Sequence, residues 1–221
     1  MPEVAPDAFV ANIDAANRGE TLASRIIGDC YFMGVGAPQN VREAWKWYAK
    51  AAGKGDLEAR YRIGVMYRDG VGVKRNDKEA AYWFSRAAAN GHPLALLNLA
   101  DFYFEGRGIQ NDYRIAAEDF WRAADRGVAE GAYRLAVMLR DGTGISKDLP
   151  RALQYFKMAA DAGFADADSQ VLELERQGVK MPVAAKAKKA AATVKKPAAS
   201  QKSTPKKKSP KKKSSHSKRK K

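Results

Sequence analysis

The chain has 221 residues and a formal net charge of +15, with 40 Lys and Arg against 25 Asp and Glu, and a single cysteine, Cys30. One cysteine excludes an intrachain disulfide framework and fits a reducing compartment. The opening segment 1–7 has neither a basic nor an apolar stretch, so no secretory leader is expected, and no apolar run approaches membrane-spanning length.

Taken in chain order, the sequence begins with a half-unit. Ala8, Ala15, Ala16 and Gly19 match positions that recur later, so residues 1–22 read as an N-terminal half-repeat and cap. Four gapless units of 36 residues follow, over 23–58, 59–94, 95–130 and 131–166. Ala23, Ala59, Ala95 and Gly131 lead them, and Ile27, Ile63, Leu99 and Leu135 stand four places on. A fixed period in this range marks a solenoid of stacked supersecondary units.

Each unit reads as two helices. In the first, recurring residues fall at relative positions 0, 4, 5 and 8, one face of a 3.6-residue helix. The glycine column Gly34, Gly70, Gly106 and Gly142 then supplies a left-handed stop. A second column follows at Gly36, Gly72, Gly108 and Gly144 and reads as part of the same cap. Asn40, Asn76, Asp112 and Asp148 announce the second helix as N-caps. Its core face is Ala44, Tyr48, Ala51, Ala52 and their equivalents. Two departures stand out. Asp119 occupies the column of Trp47 and Trp83, with Trp121 two places on, so altered packing is expected in the third unit. Gly131 in place of alanine should weaken its helix by roughly 0.5–1 kcal/mol. Residues 167–178 repeat the first-helix pattern once more, with Glu175 in the Tyr/Leu column, and read as a polar capping helix.

These columns, A-x3-[LI]-[GA]-x2-Y-x2-G-x-G-[VI] followed by A-x2-W-[FY]-x2-A-A-x2-G, resemble the Sel-one-like repeat, a relative of the tetratricopeptide repeat. The clearest copy runs from Ala59 to Gly91. The resemblance covers about residues 7–178. It implies an all-α, right-handed α-solenoid with adaptor or scaffold roles and no common ligand.

Little points to catalysis. His92 lies beside Pro93 between units, where helix-start geometry accounts for it, and His216 lies in the tail. No metal-ligand cluster, phosphate loop or nucleophile elbow is present, so a non-enzyme without cofactors is expected. The candidate interaction surface is the outer face of the first helices, the concave side of such stacks. There the second and fourth units nearly match, Tyr61-Arg62 through Met66 against Tyr133-Arg134 through Met138, which gives a 72-residue superperiod. One reading is a peptide groove. Arg62 and Arg134 would take carboxylates, Asn98 would hold backbone, Tyr61 and Tyr133 would flank it, and Met66, Phe102 and Met138 would form an adaptable floor. The other reading is inter-unit packing with a solvated arginine rim.

Residues 179–221 change character. From 180 onward there are 17 Lys and Arg and no Asp or Glu, leaving 23 basic and 25 acidic residues before it. The solenoid is therefore near −2 and the tail near +17. With no Leu, Ile or aromatic residue, the tail is expected to be disordered alone. Lys206, Lys207, Lys208, Lys211, Lys212 and Lys213 follow Thr204-Pro205 and Ser209-Pro210, and Lys218, Arg219, Lys220 and Lys221 close the chain. This resembles the tails of linker histones and histone-like nucleoid proteins. Dense lysine displaces counterions from phosphates without reading sequence. A further option sets the tail against the acidic columns Asp29/Asp101/Glu173 and Asp69/Glu105/Asp141 of its own chain. The expectation is a monomeric, cytoplasmic adaptor, nucleoid-associated or nuclear if eukaryotic, with an unknown protein partner and nucleic acid, DNA above all, on its tail. The alternative is a signalling or envelope-related scaffold whose tail serves localisation or solubility.

Overall fold

The computed structural model describes residues 8–182. Those residues form ten α-helices and no strand. The N-terminal half-unit is α1 (Ala8–Asn17). First helices are α2 (Thr21–Met33), α4 (Leu57–Asp69), α6 (Pro93–Glu105), α8 (Ala129–Asp141) and α10 (Asp166–Arg176). Second helices are α3 (Val41–Gly53), α5 (Asp77–Ala88), α7 (Tyr113–Asp125) and α9 (Leu149–Asp161). The principal contacts join each helix to its neighbours in sequence, which is the quasi-one-dimensional packing of a solenoid.

The helix ends follow from side chains. Asn40, Asn76, Asp112 and Asp148 each accept a backbone N–H in the first turn of the second helix. Two first helices are capped as well. Asp56 accepts the Ala59 N–H at 2.7 Å, and the His92 ring accepts that of Ala95 at 3.1 Å. Gly34, Gly70, Gly106 and Gly142 end the first helices in the left-handed region.

The two glycine columns do different work. The Gly108 N–H region turns at φ 67°, and a Cβ there would sit 2.4 Å from the Asp77 carbonyl of the preceding unit. Gly72 meets Val41 and Gly144 meets Tyr113 in the same way. The second glycine is therefore an inter-unit contact: each loop lies on the start of the previous second helix. The small column within the first helices has a similar cause, since a Cβ on Gly64 would sit 2.6 Å from the Phe84 ring.

The core is an alanine lattice filled by Tyr48, Phe84, Phe120 and Phe156, all fully buried. Gly131 fits this lattice, because a Cβ would meet Ala123 at 2.9 Å and the Phe120 carbonyl at 3.1 Å. Asp119 is buried and receives Arg122 at 2.7 Å, while Arg122 also donates to the Ala88 carbonyl one unit earlier. Trp121 points outward and does not replace the missing ring. In α10, Ala167 and Leu174 pack inward, and Glu175 pairs with Lys157 on the surface. No described helix is long and apolar enough to cross a membrane.

Candidate interaction face

The outer face of the first helices is laced by charge. Asp29 on α2 is only 3% exposed. It accepts the Tyr48 hydroxyl at 2.7 Å and Arg25 at 3.3 Å, and Arg62 of the next unit approaches its carboxylate at 3.3 Å. Arg62 also lies 3.0 Å from Glu58 and over the Tyr48 ring. Glu58 in turn receives the His92 ring at 3.0 Å, and Tyr61 stacks on that ring with centroids 4.7 Å apart. Because His92 Nδ1 accepts the Ala95 N–H, its Nε2 carries the proton given to Glu58. The pair holds Glu58 below the usual carboxylate range, mainly through the His92 hydrogen bond. Burial outweighs both arginines at Asp29 and raises its carboxyl.

The fourth unit repeats the pattern more loosely. Arg134 is held by Glu130 at 3.3 Å and reaches Asp101 of the third unit at 4.0 Å. Burial pushes Asp101 up to about 6, with Arg134 too distant to offset it. Tyr133 packs between Phe156 and Phe164. The superperiod has a forward arm as well: Arg68 donates to Asn98, and Arg140 donates to Gln170. Acid in odd units and arginine in even units thus form a two-unit module.

This placement corrects the peptide-groove reading in two respects. Met66, Phe102 and Met138 are 1%, 1% and 2% exposed, so they pack between helices and offer no floor. Asn98 already accepts from Arg68 and donates to the Leu94 carbonyl, so its amide is engaged within the fold. Arg62 is enclosed by two carboxylates, with its side chain 15% exposed, whereas Arg134 is 47% exposed. Of the two, only Arg134 presents much guanidinium surface. The sequence reading passed over the partners Glu58, Arg68 and Arg140 and gave Tyr48 a core role alone. The signal for Arg68 and Arg140 was the same alternation, since Phe32 and Phe104 fill their column in the odd units.

The acidic columns do not make an open track for the tail. Asp69 and Asp141 each pair with the preceding arginine at 2.7 Å, and Arg107 stands 3.6 Å from Glu105. Lys206 to Lys208, Lys211 to Lys213 and Lys218 to Lys221 lie outside the described residues. Cys30 is buried, and burial raises its thiol. Among the described residues no cluster of His, Cys, Asp and Glu is arranged to hold a metal.

Ten stacked helices with two-helix periodicity and inter-unit glycine contacts define an α-solenoid repeat protein. The chain belongs to the Sel1 repeat family: residues 22–56, 57–92, 93–128 and 129–164 each match that repeat. Sel1 repeat proteins act in general as non-catalytic protein-interaction scaffolds. Among solved structures, the chain is similar to a protective antigen present in uropathogenic Escherichia coli strains, at 30% identity and TM-score 0.75, covering 80% of this chain and 38% of that one. It therefore spans well under half of that relative's length. A Sel1 repeat protein from Oxalobacter formigenes is similar at 29% identity and TM-score 0.71, covering 80% of this chain and 73% of its own. No curated protein matches.

Proposed function

We propose that the chain is a non-enzymatic adaptor whose solenoid holds a protein partner and whose tail, residues 179–221, tethers the pair to nucleic acid, DNA above all. The observation that carries this is the charge division: a near-neutral solenoid joined to a segment with 17 basic residues and no acidic one from 180 onward. Such a segment draws its affinity from counterion release and reads no sequence. Its lack of aromatic residues disfavours base stacking, and its one arginine, Arg219, disfavours bidentate base reading. The protein partner meets a polar face, on which Arg134 and Glu130 are an accessible charged pair. A cytoplasmic, nucleic-acid-associated location follows from the same reading, with the lone cysteine in support.

The test compares the full chain with a full-length variant whose tail lysines are replaced by serine. Duplex DNA and RNA are titrated across a salt series. The tether predicts at least a tenfold loss of affinity and a shallower salt slope in the variant. Equal affinity for the two proteins defeats it. The second reading, a signalling or envelope-related scaffold whose tail serves localisation or solubility, becomes the account if neither protein binds at physiological salt.

A further inference from the structure

Most cations of the solenoid are already committed. Arg25, Arg62, Arg68, Arg107, Arg122 and Arg140 pair with carboxylates. Lys50, Lys54, Arg60 and Arg126 donate to backbone carbonyls. Among the described residues, six side chains with neither kind of partner, Arg42, Lys74, Lys78, Arg114, Lys147 and Arg151, share one location, whereas Arg86, which donates only to the Tyr82 hydroxyl, stands at the end of α5. All six lie between the end of a first helix and the first turn of the second helix, in all four units. All but Arg151 are exposed.

These positions form one continuous edge, because each glycine loop lies on the start of the preceding second helix. Arg107 reaches across the same junction to Asp77 at 3.3 Å. The edge also holds an open cleft of about 630 Å³, lined by Lys74, Arg75, Asn76, Asp77, Lys78 and Gly108. The opposite edge carries Asp125, Asp161, Asp166 and Asp168 outside any ion pair among the described residues, together with Arg86 and Arg126; on the glycine-loop edge the six cations outnumber the three carboxylates that stand outside any ion pair, Glu79, Asp112 and Asp148.

The last first helix ends on the basic edge. Gly178 turns with φ 77° as Gly142 does one unit earlier, and exposed Arg176 and Lys180 flank it. Lys180 opens the stretch of sequence that carries 17 basic residues and no acidic one.

We infer that the glycine-loop edge of the solenoid is a second nucleic-acid contact, continuous with the tail, which lays the phosphate backbone along Arg42, Lys78, Arg114 and Lys147. A row of single, solvated charges repeated once per unit suits a polymer of regular charge. Each phosphate neutralised adds about 0.9 to the slope of log K against log salt. The absence of carboxylate partners keeps those cations available for counterion exchange. An acidic protein would meet the same charges. The recurrence of Arg42, Lys78 and Arg114 one period apart, with Lys147 in the fourth unit's loop, favours the polynucleotide. The inference rests on the nucleic-acid half of the proposed function, and it fails separately from it.

The experiment uses the full chain throughout, with duplex DNA of random sequence as the probe. Arg42, Lys78, Arg114 and Lys147 are replaced together by glutamine, and the salt slope is measured beside wild type and the tail-serine variant. Contact along the edge predicts a slope shallower by about 2–4 units in the edge variant. It also predicts a residual, salt-dependent affinity in the tail variant that the edge substitutions abolish. A wild-type slope in the edge variant overturns the inference and leaves the tail reading intact. A tail variant that binds as wild type does overturns the tail reading alone. Replacing Arg86 and Arg126 on the opposite edge should leave the slope unchanged. A drop as large as that of the edge variant would reduce the effect to net charge and overturn the assignment. Poly-glutamate that depends on the edge while DNA does not would move it to an acidic protein. Coincident melting curves establish that each variant folds.

Discussion

Arg62 of the second unit stands 3.3 Å from the buried Asp29 carboxylate of the first, with Glu58 on its other side at 3.0 Å. This arginine closes the junction between two repeats. Its counterpart Arg134 reaches Asp101 only at 4.0 Å and keeps nearly half its surface open. Two residues at equivalent positions therefore differ in kind, one structural and one available.

The difference is measurable. Arg62→Ala leaves Asp29 buried with one ion-pair partner fewer, and should cost about 3 kcal/mol of unfolding free energy. Arg134→Ala should cost under about 1 kcal/mol. Urea denaturation followed by circular dichroism separates them, and equal losses would refute the distinction. For any partner pull-down, Arg134→Ala is then the clean variant and Arg62→Ala is confounded by folding.

Asp119 should give the fold a pH dependence of unusual sign. Burial pushes its carboxyl up to about 6 from 3.8, against the attraction of Arg122. Between those values the folded chain binds more protons than the unfolded one, so this residue's contribution falls as pH rises from about 4 to 6. Asp101, also raised to about 6, acts in the same direction. Carboxylates held low, such as Asp69 and Asp141, lose their stabilising effect only as pH falls below about 4. The stability difference between pH 4.5 and pH 7 should shrink by roughly 1–2 kcal/mol in Asp119→Asn. An unchanged difference counts against a raised carboxyl.

Glycine substitutions distinguish packing from turn geometry. Gly108→Ala meets the Asp77 backbone at 2.4 Å and also strains a positive φ, so a loss of about 2–4 kcal/mol is expected. Gly127→Ala has a similar φ of 82° with nothing within 4 Å, so about 1 kcal/mol is expected. Thermal melting of the two variants gives the comparison, and equal shifts would remove the inter-unit role assigned to the second glycine column.

The His92 ring caps α6 through Nδ1 and holds Glu58 through Nε2. His92→Ala should destabilise by about 1–2 kcal/mol, and His92→Asn should recover the capping share, because an asparagine oxygen accepts the same N–H. If asparagine behaves as alanine does, the cap contributes little.

Much of this molecule is written in its 36-residue period. The cap column Asn40, Asn76, Asp112 and Asp148, the glycine stops and the alanine-aromatic core are local patterns, and local patterns fix helices whatever their neighbours do. The charge division is composition alone. What the period leaves open is which neighbour each helix stripe meets. A first helix is contacted by second helices on two sides, so Met66, Phe102 and Met138 share a sequence stripe with exposed residues and yet lie buried. Only the stacking decides that Arg62 is enclosed while Arg134 is open. The same stacking makes Gly108 a contact between units, and it sets Arg42, Lys78 and Arg114 along one edge. Those properties arise from distances between units, and a one-dimensional repeat encodes the units rather than the spacing between them.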